Sequence, residues 1–256
     1  MRYNQLSTQN YFFNICAIFL TSMLLTACAS HESREFGDVY DPFESSNRAV
    51  FAFNEVLDDN VAKPVAKGYR TVLPEPARVG VRNVLQNLST PVNAGNQLLQ
   101  GDVEGVATDI GRAIINTTIG IGGLIDVAGY LGLEYEPEDF GQTLGVWGFS
   151  EGPYFVIPVL GPSNLRDSTG RVVDAIADPL NIYLMNIEEE EIIYARTGVS
   201  LVAQRESLLD VLEELEYGAI DYYAVMRSSY TQYRRSVIRD QDATQGSVAI
   251  PDFDDE

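Results

Sequence analysis

The stretch DVEGVATDIGRAIINTT, residues 102–118, indicates most directly which kind of fold the chain adopts. Small or apolar side chains recur at helical spacing along one face of it, at Val103, Val106, Ile110, Ala113, Ile114 and Thr117. Gly105 and Gly111 lie nearby, although glycine costs a helix about 1 kcal/mol relative to alanine. Their presence indicates that a neighbouring helix or lipid approaches this backbone closely. We therefore predict an amphipathic helix here.

Cap-plus-proline pairs predict three further helix starts, at Asp41-Pro42, Thr90-Pro91 and Asp178-Pro179. Glu44 completes a capping box for the first of these helices, and Gly101 ends the second. After the third start, apolar positions continue at helical spacing to about Arg235. Together these patterns predict a mainly α-helical fold.

Two glycine-rich segments interrupt the helical pattern. Residues 119–123 form the first, and residues 140–161 contain five of the 21 glycines, the only Trp and hardly any charge. Trp147 has aromatic neighbours at Phe149, Tyr154 and Phe155. Two interpretations of this Trp stay open: it lies at a membrane interface, or it packs in a core.

Net charge and residue types exclude several functions. With 37 acidic and 17 basic residues the formal charge is -20, which disfavours binding to nucleic acid. The chain has one His, at position 31, and two Cys. Zinc would have to bind without the ligands that it prefers, so we expect no metal site and no cofactor.

The N-terminus predicts a lipid anchor. Residues 11–25 are apolar and too short for the roughly 20 residues of a transmembrane helix. The tetrad Leu25-Thr26-Ala27-Cys28 that ends this region resembles the bacterial lipobox. We therefore predict a lipoprotein signal peptide over 1–27, lipid attachment at Cys28 and a polar tether over 28–40, with a signal anchor or a transmembrane helix as the alternative. Ala29 resembles the sorting signal for the outer membrane.

Two patterns suggest catalysis, but neither is complete. Gly148-Phe149-Ser150-Glu151-Gly152 matches the nucleophile elbow G-x-S-x-G, yet no His follows it in the chain. Carboxylate pairs occur at Glu138 with Asp139 and at Asp167 with Asp174, as 37 acids would produce by chance. We expect that the protein is not an enzyme and has no catalytic residue, and we interpret these positions as a turn and as helix caps.

One segment is locally basic in this acidic chain. Only Glu75 interrupts its five cations, which are Lys63, Lys67, Arg70, Arg78 and Arg82. These side chains are candidate contacts for phospholipid headgroups. The alternative is that they pair with the abundant carboxylates of the chain itself.

Five blocks, in order, resemble the MlaA family, also called VacJ: NRAVFAFNEVLD (47–58), PVAKGYRTVLPEPARVGVRN (64–83), NTTIGIGGLIDVA (116–128), EDFGQTLGVWG (138–148) and GPYFVIPVLGPSNLRD (152–167). The resemblance covers about residues 41–235. The family usually has Glu-Pro-Phe-Asn-Arg before its first helix, where this chain has Glu44-Ser45-Ser46-Asn47-Arg48.

The resemblance implies a single ring-like helical domain over 41–235 that lies in the inner leaflet of the outer membrane and faces the periplasm. It implies binding to trimeric porins, and removal of mislocalised phospholipids from the outer leaflet through an amphipathic channel to a soluble periplasmic carrier. Candidate residues for the lipid path or its gate are Gly120, Gly122, Gly123, Gly145, Trp147, Gly148 and Gly152.

Two other functions stay open at this point. One is a lipid or glycan hydrolase that uses Ser150 or a carboxylate pair, and the other is a purely structural lipoprotein bound to a porin. Residues 236–256 read as an acidic, disordered tail outside the domain.

Overall fold

Helices form most of the protein in the computed structural model, which describes the backbone of residues 39–243 and the side chains of residues 39–239. The described residues belong to a unit that begins at Val39. Cys28, the predicted signal peptide, most of the predicted tether and residues 244–256 lie outside the described residues. The prediction of a mainly helical fold is confirmed.

All the regular elements in the first half of the described chain are helices. Its elements, in order, are α1 (Glu44–Leu57), a π-helical turn (Asp58–Ala62), α2 (Lys63–Val72), α3 (Glu75–Gln100), α4 (Val103–Thr118), α5 (Val127–Tyr130) and α6 (Phe140–Val146). The π-helical turn joins α1 and α2 without a break, so the chain stays helical from Glu44 to Val72.

A short β-hairpin follows α6 and begins within the second glycine-rich segment, residues 140–161. Strands β1 (Tyr154–Ile157) and β2 (Gly161–Asn164) pair in antiparallel fashion, with Tyr154 opposite Asn164. Five helices complete the described chain: α7 (Leu165–Ala177), α8 (Pro179–Asn186), α9 (Glu190–Ser207), α10 (Leu209–Gly218) and α11 (Tyr222–Ala243). The hairpin was not predicted.

Helix α3 is the longest described element and occupies a central position. Its 26 residues span about 39 Å at 1.5 Å per residue, and it packs against α4, α6, α8 and α9. Gly101 ends the helix in the left-handed region, with φ of 84°, as predicted. The prediction that Thr90-Pro91 opens a helix is wrong, because Pro91 lies inside α3 and only the hydrogen bond to the carbonyl of Asn87 is lost.

Two other helix boundaries differ from the predictions. Asp178 caps α8 by accepting from the backbone N–H of Leu180, as predicted, whereas Asp41 caps no helix. Helix α1 begins at Glu44, and the carboxylate of Asp41 instead accepts from Tyr223 and Arg227. The long helical pattern after Pro179 is divided among α8, α9, α10 and α11, and α11 continues through residue 243. Residues 236–243 of the predicted tail are therefore helical.

Burial is inverted relative to a water-soluble protein. Among the described residues, nineteen buried side chains are polar or charged and nine are hydrophobic. The hydrophobic ones include one small cluster, which consists of Phe51, Tyr154, Val156 and Tyr223. Many large apolar side chains are exposed instead, although Ile, Leu and Val are usually among the most buried residues. Within residues 39–243, the helices are too short or too polar to cross a bilayer.

Candidate functional site

Helix α4 shows the inversion most clearly. The predicted helix is confirmed, and its apolar stripe exists, but the stripe faces outward: Val103, Ile110 and Ile114 are 72%, 49% and 59% exposed. The opposite face, with Asp109, Arg112 and Asn116, is buried. A helix with this polarity has its polar face in the protein interior and its apolar face toward the surroundings.

Helix α3 carries the matching polar surface. Its buried side chains are mostly polar and follow helical spacing, and we call the row Gln86, Asn93, Asn96, Gln97 and Gln100 the polar row. All five members are buried or half-buried amides, and Asn96 and Gln100 reach Thr143 of α6, while Leu98 and Leu99 are exposed. Amides at intervals of three and four residues lie on one face of a helix. The row therefore runs lengthwise through the interior.

Hydrogen bonds tie one end of the polar row to α6 and α7. Asn96 donates from Nδ2 to Asp174 at 3.0 Å and accepts at Oδ1 from the hydroxyl of Thr143 at 2.9 Å. Gln100 donates from Nε2 to Glu138 at 2.9 Å and to Thr143 at 3.1 Å. Burial raises the pKa of Asp174 despite the bond from Asn96. These contacts fix the amides in place.

The four acids of the predicted carboxylate pairs all have structural partners. Asp139 caps α6, and Glu138 accepts from Gln142 at 2.9 Å. Asp167 is bonded to both Arg166 and Arg234. Burial alone would raise the pKa of Asp167, but the charges of the two arginines outweigh it and lower this pKa. The cap at Asp139 agrees with the interpretation of these acids as helix caps, and Asp167 forms buried ion pairs in addition.

A small polar cavity lies beside the other end of the polar row. It is lined by Asn83, Gln86, Asn87, Thr90, Arg112, Asn116, Asp126 and Tyr135, and its free volume of about 10 Å³ holds about one water molecule. Arg112 donates to Asp126 at 3.0 Å, and Asn116 donates to the same oxygen at 2.9 Å. Although burial works against it, these bonds lower the pKa of Asp126. No phospholipid headgroup fits in this cavity as it stands.

The first glycine-rich segment packs against two of the residues that line this cavity, Asn83 and Asn87. Asn83 donates to the carbonyl of Leu124 at 3.1 Å, and a Cβ atom on Gly123 would approach Asn87 to 3.0 Å. The φ angle of Gly123 is 92°, and that of Ile121 is 56°, which is strained for a β-branched residue. At Gly120, a Cβ atom would lie 2.2 Å from the carbonyl oxygen of Ile125, so only glycine fits.

The second predicted segment lies at the other end of α3. Trp147 donates from Nε1 to the carbonyl of Leu99 at 3.0 Å and is about half exposed, with its ring edge-on to Phe140. Gly145, Gly148 and Gly152 lie in the same stretch, the last two with φ of 87° and 70°. Asn87 and Leu99 are twelve residues apart, about 18 Å along α3. The two glycine-rich segments thus lie at different levels of the polar row.

The five predicted headgroup contacts all lie against acidic side chains. Lys63 lies 3.7 Å from Glu213 and from Glu216, and Lys67 lies 3.3 Å from Glu213. Arg70, Arg78 and Arg82 converge on a single carboxylate, that of Glu206. The structure thus has the intramolecular pairing that was the alternative, and a headgroup role for these cations stays a prediction.

Ser150 lies exposed in the loop between α6 and β1. No hydrogen bond from a described Lys reaches it, because Lys63 and Lys67 are paired with acids of α10. Within residues 39–239, no group of three acidic, His or Cys side chains is placed to hold a metal ion. The loop fits the interpretation of G-x-S-x-G as a turn.

Sequence reasoning missed two buried acids. Asp109 on α4 is 2% exposed, and its Oδ2 atom has no hydrogen-bond partner. Loss of hydration raises the pKa of Asp109 to about 6, although Arg112 opposes this. Glu206 on α9 is equally buried. The helical spacing of the amides in α3 was visible in the sequence and could have indicated a polar interior, but these acids had no such signal.

A polar interior inside helices with apolar outer faces defines a class of protein: a helical, membrane-associated protein whose inner surface is hydrophilic. The family model described as MlaA lipoprotein matches residues 39–237, nearly the whole described unit. The chain belongs to the MlaA family.

Curated relatives extend this result. The chain is 40% identical over 224 residues to "Intermembrane phospholipid transport system lipoprotein MlaA" of Escherichia coli. The match covers 85% of this chain and 86% of that protein. The Haemophilus influenzae protein of the same name is 30% identical over 93% of this chain and 95% of its own length. An uncharacterized protein of Rickettsia felis is 36% identical over 79% of each chain.

A solved structure described as "Structural basis for maintenance of bacterial outer membrane lipid asymmetry" has the same fold. It superposes with a TM-score of 0.68 at 35% identity, over 77% of this chain and 98% of that chain. Similarity thus covers the helical unit in both sequence and structure.

Proposed function

We propose that this protein is an outer-membrane lipoprotein of an intermembrane phospholipid transport system. It removes mislocalised phospholipids from the outer leaflet and passes them to a soluble periplasmic carrier, which maintains lipid asymmetry. Its ring-like domain lies in the inner leaflet, faces the periplasm, is anchored by lipid on Cys28 and associates with a trimeric porin.

The inverted polarity of α3 and α4 is the observation that carries this proposal. A helical backbone satisfies its own hydrogen bonds and tolerates lipid around it, so exposed Val103, Ile110 and Ile114 suit an apolar environment. A phospholipid headgroup needs polar partners along its route, and the polar row supplies amides over the C-terminal half of α3. The names of the curated relatives support the same function.

The glycine-rich segments are suited to act as gates of this route. Residues 119–125 contact Asn83 and Asn87, which line the small cavity beside Arg112, and the segment with Trp147 lies at the opposite end of the polar row. Since the cavity holds about one water molecule, passage of a headgroup requires one of these segments to move.

Two adjacent residues of α3 provide a matched test. Gln97 is buried in the polar row, and its Oε1 atom has no hydrogen-bond partner, so Gln97→Leu removes polarity without breaking a bond to that oxygen. Leu98 is 64% exposed on the outer face, and Leu98→Met is the control. We expect deletion of the gene to raise outer-leaflet phospholipid, and Gln97→Leu to restore asymmetry less well than Leu98→Met.

The measurement is surface labelling of phosphatidylethanolamine with an amine reagent that does not cross the outer membrane, together with mass spectrometry of lipid that copurifies with the protein. Unchanged surface labelling after deletion, and no copurifying phospholipid, would overturn the proposal and favour a purely structural lipoprotein. Ser150→Ala should have no effect if nothing is hydrolysed, and Cys28→Ala should abolish metabolic labelling with fatty acid.

A further inference from the structure

Three arginines of the basic segment surround one buried carboxylate. Arg70 on α2 donates from Nε to Oε1 of Glu206 at 2.9 Å, and Arg78 on α3 donates to the same oxygen. Arg82, one turn further along α3, reaches Oε2 at 3.4 Å. Glu206 is 2% exposed and is among the most deeply buried side chains of the described protein.

The charges in this cluster do not balance. Asp210 is largely exposed and accepts from Arg70. Arg78 and Arg82 both pair with Glu206. The Nε atom of Arg78 is buried without a hydrogen-bond acceptor. Arg82 has its long contact to Glu206 and a side chain that is 35% exposed. Glu206 therefore does not satisfy all the guanidinium donors, and an oxyanion with more acceptor oxygens can replace it, in a chain whose formal charge is -20.

The cluster is also next to the proposed lipid route. Arg82 precedes Asn83 and lies one helical turn from Gln86, and both of these residues line the cavity beside Arg112. An anion held by Arg82 would lie beside the end of the polar row.

We propose that Arg78 and Arg82 form a binding site for a phosphate oxyanion, and that Glu206 occupies this site until the oxyanion displaces it. Guanidinium groups match the geometry of phosphate oxygens with two parallel hydrogen bonds, as they match a carboxylate. The oxyanion is the phosphate of a phospholipid headgroup or free phosphate. For the headgroup, this inference rests on the proposed function.

Binding to the purified full-length lipoprotein in uncharged detergent tests the proposal. The probes are inorganic phosphate and dihexanoyl phosphatidylglycerol, with dihexanoylglycerol as the lipid without phosphate, and titration calorimetry is the measurement. Arg82→Gln should weaken binding of the phosphate probes about tenfold, as expected for a lost charge-assisted hydrogen bond. Arg235→Gln is the matched control, because Arg235 pairs with Glu151 outside the cluster.

A second variant tests the displacement by Glu206. Glu206→Gln keeps the shape of the side chain and removes the competing charge, so phosphate should bind about tenfold more tightly. Glu206→Gln leaves three arginines around a neutral amide, which threatens folding. Arg82→Gln is therefore the deciding variant, because Arg70 and Arg78 keep their ion pairs with Glu206.

The outcomes separate the two sources of phosphate and the two proposals. Binding of both probes with the same dependence on Arg82 supports an oxyanion site, and binding of the lipid alone supports a headgroup site. Equal binding by the wild type and Arg82→Gln, or no binding of either probe, overturns the inference while the cellular result for Gln97→Leu stands. If Arg82→Gln loses phosphate but gene deletion leaves the outer leaflet unchanged, the site stands and the transport function fails.

Discussion

Arg234 on α11 is the side chain whose removal should disturb the interior most. Its side chain is 9% exposed and contacts two acids. It donates to both carboxylate oxygens of Asp139, at 2.6 and 2.9 Å, and to both of Asp167, at 2.8 and 3.1 Å. It thereby joins α11 to the start of α6 and the start of α7, which also anchors one end of the polar row.

Arg234→Met should destabilise the fold by about 3–5 kcal/mol. Methionine fills much of the volume, but it leaves Asp167, which is 3% exposed, with Arg166 as its remaining cation. Removing one partner of a buried ion pair costs this much because a charge stays buried without full compensation. In a domain of this size, each kcal/mol lowers the melting temperature by about 2–4 °C, so a fall of roughly 10 °C is expected.

Thermal unfolding of the purified protein in detergent measures this effect, and Arg235→Met is the matched control. Arg235 is the next residue, but its side chain is 37% exposed and pairs with Glu151, so its loss should cost about 1 kcal/mol or less. If Arg234→Met and Arg235→Met melt within a degree of each other, the reasoning from burial is refuted.

The same variant has a defined pH dependence. Arg234 and Arg166 outweigh the burial of Asp167 and hold its pKa below the ordinary 3.8. A lowered carboxyl pKa adds stability above the unfolded pKa, and this stability is lost as the pH falls through the folded pKa. The difference between wild type and Arg234→Met should therefore be full at pH 7 and shrink below about pH 4.

Two further changes are expected to stabilise the protein. Ile121→Gly removes a β-branched side chain from φ of 56°, and relief of this strain should raise stability by about 0.5–1 kcal/mol in thermal unfolding; a lower melting temperature would show that the exposed side chain contributes more than the strain costs. Asp109→Asn should stabilise the protein at pH 8 and have little effect near pH 4. The pKa of Asp109 is raised from 3.8 to about 6, so the wild type loses stability as the pH rises through this range. Melting temperatures at both pH values test this, and an equal difference at both would contradict it.

The positions of most helices could be predicted because capping and periodicity are local. Asp178 caps α8, Gly101 ends α3, and residues 103–118 form α4, each from signals within a few residues. Pro91 misled the prediction because proline at a helix start and proline inside a helix look alike in sequence. Inside α3, packing against four other helices outweighs the lost hydrogen bond.

The direction of each helical stripe could not be predicted from its spacing. In α4 the period located the stripe of Val103, Ile110 and Ile114, but a period does not say whether lipid or protein meets that stripe. The hairpin was missed for a different reason: Asn47 holds it by accepting from the backbone of Val156 and donating to the carbonyl of Tyr154, more than a hundred residues away.

The roles of the predicted site residues stay predictions, although the structure shows where those residues lie. The glycine-rich segments lie at two levels of the polar row, and several of their glycines have close backbone neighbours or positive φ, which the sequence pattern indicated. The basic segment gave no indication of its partner, because Glu206 belongs to α9 and lies more than a hundred residues along the chain. Such pairing depends on tertiary packing and leaves no local pattern.

The inverted interior also affects the heat capacity of unfolding. Exposure of apolar area raises the heat capacity, whereas exposure of polar area lowers it. Here the apolar side chains already face outward in the folded state, and unfolding mainly uncovers amides, carboxylates and guanidinium groups. The heat-capacity change per residue should thus fall below the ordinary value of about 12–15 cal/mol/K. The free energy of unfolding then varies little with temperature, so the protein keeps similar stability in cold and in warm surroundings.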